Sequence, residues 1–197
     1  KYYKDFLATK FVTKLMMPNT KYDIVLSINE LAVKDKNSFL VKPIIRKEIS
    51  NKVPSTKDFI MVYQTSDSNT NLLKILSKID ANFVVYGYDM DEDLGNVVLR
   101  KFNEEKFIDE LSNCKALISN GGFTLITEAL HLKKPILSIP IKKSFEQIIN
   151  AINLTKIGCG EFQVETTFKG IKNFLGNLDI YNGNLKNYKL VEGDVFE

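Results

Sequence analysis

The sequence predicts an α/β fold in which a parallel sheet is flanked by helices on both faces. Three observations predict it. Apolar runs of strand length at residues 59–63, 82–87, 97–99, 116–119 and 135–139 are nearly uninterrupted, as in strands buried on both faces. Segments of helical period stand between most of them at βα spacing. The runs also stop at polar or glycine-rich loops, where open sheets of this class bind ligands, beyond the carboxyl ends of the strands.

In chain order, residues 2–16 place Tyr3, Phe6, Leu7, Phe11 and Leu15 at helical spacing with lysines between them. Pro18-Asn19 ends that helix, and residues 24–28 (IVLSI) read as a buried strand. Residues 31–41 are mixed and polar, a loop with an edge strand. Pro43 makes residues 42–46 an extended connector, because the residue before a proline disfavours helix. A new α/β series then starts. Strand 59–63 ends in the polar run 64–71, and an amphipathic helix follows at 72–79. Strand 82–87 is stopped by Gly87 and the acidic loop 89–93, and 97–99 is a short strand. Helix 104–111 carries Phe107, Ile108 and Leu111 on one face. Strand 116–119 is broken by Asn120-Gly121-Gly122, a helix begins at Phe123, and strand 135–139 is bounded by Pro140. Ser144 is placed to cap a helix over 145–157, and one more helix is expected near 167–178. The remainder reads as a Gly/Asn-rich turn and a weakly patterned terminus.

Composition narrows the function classes. A net charge of +3, with the lysines dispersed, gives no basic stripe for nucleic acid. The two cysteines, Cys114 and Cys159, and the single histidine fit no metal spacing, so neither metal nor cofactor is expected. Cysteine usage suits a reduced, cytoplasmic setting, and no apolar run reaches 18 residues. The chain starts at Lys1 with residues that already read as helix, which points to a piece of a longer protein.

The chemistry concentrates in residues 114–151. A glycine pair between a buried strand and a helix start presents bare N–H groups at the positive end of a helix dipole, a place for an anion such as phosphate. Thr124 and Glu128 are four apart and share a helix face. A diphosphate could rest on the backbone of Gly122, Phe123 and Thr124, and the Glu128 carboxylate could accept from both hydroxyls of a ribose diol. Glu146-Gln147 opens the next helix near the same sheet edge, a carboxylate and an amide that suit sugar hydroxyls. Bland readings stand beside these: a plain turn at Gly121-Gly122, a solvated Glu128, a capping pair at Glu146-Gln147. His131 reads as packed or solvated, Lys142-Lys143 as surface charge. Tyr86 and Tyr88 read either as cleft-lining or as solvent-exposed.

Residues 118–160 resemble the donor-binding motif of GT-B glycosyltransferases, with the nearest pattern in MurG-type N-acetylglucosaminyl transferases and related UDP-glycosyltransferases. The residues that carry it are Gly121-Gly122, Thr124, Glu128, Pro135 to Pro140, Glu146-Gln147 and Asn150-Ala151, in that order. Weaker similarity reaches back to Ile44. The resemblance implies that this is the Rossmann-like C-terminal domain of a GT-B fold plus a remnant of the N-terminal domain. Residues 1–45 would be the end of the acceptor domain and the linker, 46–180 the nucleotide-sugar domain, and 181–197 a tail. It further implies that Thr65, Ser66, Gly121, Gly122, Phe123 and Thr124 face the donor diphosphate, Glu128 the ribose, and Glu146 and Gln147 the sugar. The segment holding Arg100 and Phe102 would lie beside the base. The partners implied are a UDP-sugar and an acceptor the sequence does not identify, peripheral to a membrane if that acceptor is a lipid. The catalytic base is expected outside this chain, in the N-terminal domain. Two positions depart from the pattern: Tyr63-Gln64-Thr65-Ser66 lacks a glycine pair, and Lys134 stands where a glycine is usual. A UDP-GlcNAc 2-epimerase on the same scaffold and a non-catalytic nucleotide-binding or flavodoxin-like module are the alternative readings.

Overall fold

The computed structural model describes residues 3–16, 20–30, 36–64 and 71–190. Two sheets organise them. A helix α1 (Tyr3–Met16) precedes a parallel pair of short strands, β1 (Asp23–Leu26) and β2 (Ser38–Val41). After the connector and the single turn α2 (Lys47–Ser50), a seven-stranded sheet takes over. Its strands are β3 (Ile60–Tyr63), β4 (Phe83–Tyr86), β5 (Glu92–Asp93), β6 (Val97–Arg100), β7 (Ala116–Ser119), β8 (Ile136–Ser138) and β9 (Gly160–Phe162). Their spatial order is β5-β6-β4-β3-β7-β8-β9, all parallel except β5, which runs antiparallel to β6 at one edge.

Alternate strand residues enter opposite cores, as the period of two requires. Met61, Tyr86, Leu117 and Ile136 pack on one face against Phe107, Ile108 and Leu111 of α4 (Glu104–Asn113), Ile126, Ala129 and Leu130 of α5 (Phe123–His131), and Leu154 of α6 (Phe145–Lys156). Val62, Val85, Leu99 and Ile118 pack on the other against Leu72 and Leu76 of α3 (Leu72–Leu76) and Ile171 and Phe174 of α7 (Phe168–Gly176). Both faces are covered, so the apolar runs carry no polar alternation. Asn103 starts α4 by accepting from the Lys106 N–H at 3.0 Å, and Thr167 does the same for α7 from Gly170 at 3.0 Å.

The differences from the sequence reading have physical causes. The expected turn and weakly patterned terminus after residue 178 includes a helix, α8 (Leu178–Asn187). Its Asn and Gly residues are poor helix formers, and tertiary packing outweighs them: Leu185 is buried and the Tyr181 ring stacks on Phe174 at 5.5 Å. Part of the acidic loop at 89–93 pairs as β5, and β9 and α2 are short elements that carry no periodic signal. Helix α3 is shorter than its pattern and stops at Leu76. Ser144 holds the N-cap position of α6 without a side-chain cap bond.

Gly87 ends β4 at φ +114°, and a Cβ there would lie 1.9 Å from the Gln64 carbonyl oxygen. Gly95, at φ +86°, has open space around it. Gly87→Ala is therefore expected to lower stability by about 2–4 kcal/mol, combining backbone strain with a clash against main chain. Gly95→Ala should cost only the strain, about 1–2 kcal/mol. Thermal unfolding of the two variants side by side checks the ranking.

Candidate functional site

The order of the strands creates the site. β3 leads outward through β4 to β6, and the chain then returns to place β7 on the other side of β3. Tyr63 and Ser119 are register partners at the ends of β3 and β7, so the two loops that leave them part at the topological switch point. Asn120-Gly121-Gly122 is one of those loops.

Gly121 takes φ +90°, and a Cβ there would meet Ser138 Oγ at 2.5 Å and the Gln147 carbonyl oxygen at 3.2 Å. Only glycine fits between β8 and α6 in that conformation. Gly122 then serves as the N-cap of α5 and, being glycine, makes no side-chain cap bond. The first N–H groups of the helix consequently face the strand ends with the positive end of the helix dipole. Asn150 of α6, 8% exposed, donates from Nδ2 to the Gly121 carbonyl at 3.1 Å and holds the turn from behind. The Glu146 Oε1 lies 3.4 Å from the same Nδ2. Gln147 accepts through Oε1 from the Ile141 N–H at 2.9 Å, which ties the loop after β8 to α6.

A cavity of about 370 Å³ opens beside this turn, lined by Ser27, Ile28, Phe123, Glu146, Ile149 and Asn150. A smaller one, about 190 Å³, lies over the strand ends among Gln64, Asn120, Pro140, Lys142, Glu165 and Thr166.

Glu128 sits in the second turn of α5 with its side chain only 1% exposed. Arg46, from the connector, grips it side-on: Nε donates to Oε1 at 2.5 Å and Nη2 to Oε2 at 2.9 Å. The third guanidinium nitrogen, Nη1, donates to Glu104 Oε1 at 2.6 Å at the start of α4. The hydrogen bond to Glu128 raises the Arg46 pKa above its ordinary value. The solvated reading of Glu128 is thus replaced by a buried ion pair. Arg46 drew no role from the sequence, because a lone arginine after Pro43 has no pattern to mark it.

The other expected site residues divide. Gly121, Gly122, Phe123, Thr124, Glu146 and Gln147 gather around the α5 and α6 N-termini. Arg100 ends β6 with Nε 3.8 Å from Glu110 Oε1, and the Phe102 ring is 61% exposed with Phe107 behind it at 5.4 Å. Thr65 and Ser66 lie outside the described residues. His131 closes α5 at its C-terminus, about 12–14 Å along the axis from Gly122, so it is remote from the turn. Tyr86 neither lines a cleft nor meets solvent: it is fully buried and donates its hydroxyl to Glu110, and burial with that bond pushes its pKa up. Both cysteines are buried, and desolvation lifts Cys114 to about 12 and Cys159 to about 11, so neither is a ready nucleophile. Among the described residues no helix is long and apolar enough to cross a membrane.

Comparison with known proteins follows the same lines. A family model described as glycosyl transferase family 1 matches residues 1–179. The UDP-N-acetylglucosamine–N-acetylmuramyl-(pentapeptide) pyrophosphoryl-undecaprenol N-acetylglucosamine transferase of Clostridium botulinum (strain Loch Maree / Type A3) is 30% identical over a 135-residue alignment. That alignment spans 62% of this chain and 38% of the relative. Among solved structures, the calicheamicin glycosyltransferase CalG4 superposes with a TM-score of 0.59 at 14% identity, covering 92% of this chain and 54% of that one. The spinosyn forosaminyltransferase SpnP gives 0.58 at 16% identity, covering 84% and 49%. These likenesses show the GT-B fold, and the chain spans about half the length of those structures and less of the curated relative.

Asn150→Ala removes the bond that holds the Gly121 carbonyl and leaves that acceptor buried. The variant is expected to lose about 1–3 kcal/mol of stability, read by urea denaturation with an unchanged slope.

Proposed function

We infer the activity from one premise: the chain belongs to glycosyl transferase family 1. We propose that it is the donor-binding part of a glycosyltransferase that moves a hexose or N-acetylhexosamine from a UDP-sugar to an acceptor. The observation that carries the reading is the uncapped N-terminus of α5 at the switch point of a parallel sheet, with Glu128 one turn behind it. On this reading the N–H groups of Gly122, Phe123 and Thr124 hold the diphosphate, joined by Thr65 and Ser66 from the loop after β3. Glu128 takes the ribose hydroxyls and Glu146 with Gln147 the sugar, beside the cavity that Phe123 and Asn150 line. Arg100 and Phe102 flank the base, for which the exposed Phe102 ring offers a stacking surface.

The transfer breaks the bond from the anomeric carbon to the diphosphate and forms one to an acceptor oxygen. The acceptor hydroxyl gives up its proton to a general base, and the UDP leaves as an anion. Donors already aimed at the diphosphate stabilise the charge that grows on it during bond breaking, which is where a preorganised helix N-terminus contributes most. No described residue near the turn offers a histidine, and the base is assigned to an acceptor-binding half beyond this chain. Residues 1–45 are the end of that half and its linker, 46–180 the donor domain and 181–197 a tail. The reading puts the enzyme in the cytoplasm, at a membrane surface where the acceptor is a lipid. The similarity to a transferase whose name holds both UDP-N-acetylglucosamine and an undecaprenol supports the donor class and a lipid acceptor.

Isothermal titration tests the assignment. UDP and UDP-GlcNAc should bind the folded chain, and Glu128→Ala should weaken UDP by about 1–3 kcal/mol. Absence of heat at millimolar nucleotide, in a sample with a cooperative melt, would sink the proposal.

A further inference from the structure

We propose that Arg46 is the positioning residue of the nucleotide site, acting on the donor through Glu128 rather than by touching it. The inference rests on the reading of Glu128 as the ribose acceptor. Its warrant is a count of lone pairs. A carboxylate offers about four acceptor positions. Among the described residues Arg46 is the sole donor to the Glu128 side chain, and it fills one position on each oxygen. Two positions, one per oxygen, are left unfilled on a carboxylate that is 1% exposed. Each oxygen is already paired once, and one further donor per oxygen is what a ligand can add. A vicinal diol brings two hydroxyl donors, which is the number required.

The guanidinium supplies what the diol cannot. An isolated carboxylate at that depth would be costly to keep without a partner. It would also rotate about its terminal torsion, which is soft. A side-on fork fixes both the charge and the plane of the carboxylate. A lysine keeps the charge and loses the fork.

Arg46 also has a third contact, to Glu104 at the start of α4, two residues beyond Phe102. One side chain of the connector thereby ties the helix behind the ribose to the segment beside the base. The two arms are unequal. Glu104 is 63% exposed and Arg46 itself 36%, so the outer contact is a solvent-screened pair of small worth. The Glu128 arm carries the function.

The test is a double-mutant cycle on UDP affinity, measured by titration on the full chain below its melting temperature. Arg46→Lys should weaken UDP about tenfold, within the usual range of coupling between contacting residues. In the Glu128→Ala background the same change should alter UDP affinity less than about twofold, since nothing remains for Arg46 to position. Glu104→Gln should also stay within about twofold. Arg46→Lys keeps a charge beside Glu128, so it folds where Arg46→Ala leaves a buried carboxylate alone, and a melt confirms it. An equal loss in both backgrounds would mean that Arg46 meets the nucleotide directly, and tighter binding would mean that it blocks the site. Either result overturns the proposal, as does wild-type affinity in Arg46→Lys. A Glu128→Ala variant that binds UDP like the parent would instead remove the ribose assignment on which the inference rests.

Discussion

The pairing of β7 beside β3 is the constraint on which the rest of the structure depends. Both strands are buried on both faces, so neither can offer side chains to a ligand along its length. Polar chemistry is confined to the loops that leave their carboxyl ends, and β7 ends in a turn that only glycine can make. The residue after that tight position, Gly122, is the N-cap of α5 and has no side chain to accept from the first N–H groups of the helix. The missing side-chain cap bond on α5 is therefore a consequence of the glycine at its N-cap, and an anion-ready helix end is its chemical result. Asn150 completes the arrangement by holding the Gly121 carbonyl, so that α6 carries Glu146 and Gln147 on one turn and the support of the glycine turn on the next.

Most of this framework is legible in the sequence because both of its signals are local. Unbroken apolar runs mark strands covered on both faces, and a glycine pair before a helical period marks the turn. Gly121-Gly122, Thr124 and Glu146-Gln147 likewise stand around two helix ends, while Glu128 lies one turn into α5, buried against Arg46. What is not legible is set by contacts across long stretches of chain. Arg46 and Glu128 are 82 residues apart, and no periodicity relates them. Tyr86 and Glu110 are separated by 24 residues, so a tyrosine beside a strand-end glycine reads as cleft-lining or solvent-exposed when it is in fact core. Helix α8 fails for the opposite reason: its local signal is weak, and its stability comes from Leu185 and Tyr181 packing on elements already formed.

The Arg46–Glu128 pair shows why burial changes the meaning of a carboxylate. On a solvated helix face, Glu128 would contribute little and could be replaced without consequence. At 1% exposure an unpaired carboxylate is costly, and the guanidinium that neutralises it comes from the connector rather than from the sheet. The geometry of the connector is thus written into the site. Residues 42–46, extended because Pro43 makes them so, deliver Arg46 to α5 and α4 at once.

The N-terminal elements obey a different balance. Helix α1 buries none of its residues, and Phe11 and Leu15 are 70% and 72% exposed. The β1–β2 pair is parallel, and parallel strands are almost always covered on both faces, yet Ile24 and Phe39 face solvent. Two strands of four residues do not bury enough area to hold themselves together. Contacts to the larger sheet hold them instead, among them the Phe6 ring 5.9 Å from Phe145, the Tyr188 hydroxyl donating to the Ile28 carbonyl at 2.6 Å, and the Ile28 side chain buried in the core beneath α5 and α6. Phe145 opens α6, next to Glu146, and Ile28 lines the cavity beside Phe123. A displacement of this unit would therefore be felt at the proposed sugar subsite as well as in the core that Ile28 enters. The exposed apolar faces of these elements are unfavourable in isolation, and their contacts at Phe145 and Ile28 join them to the residues that line that cavity.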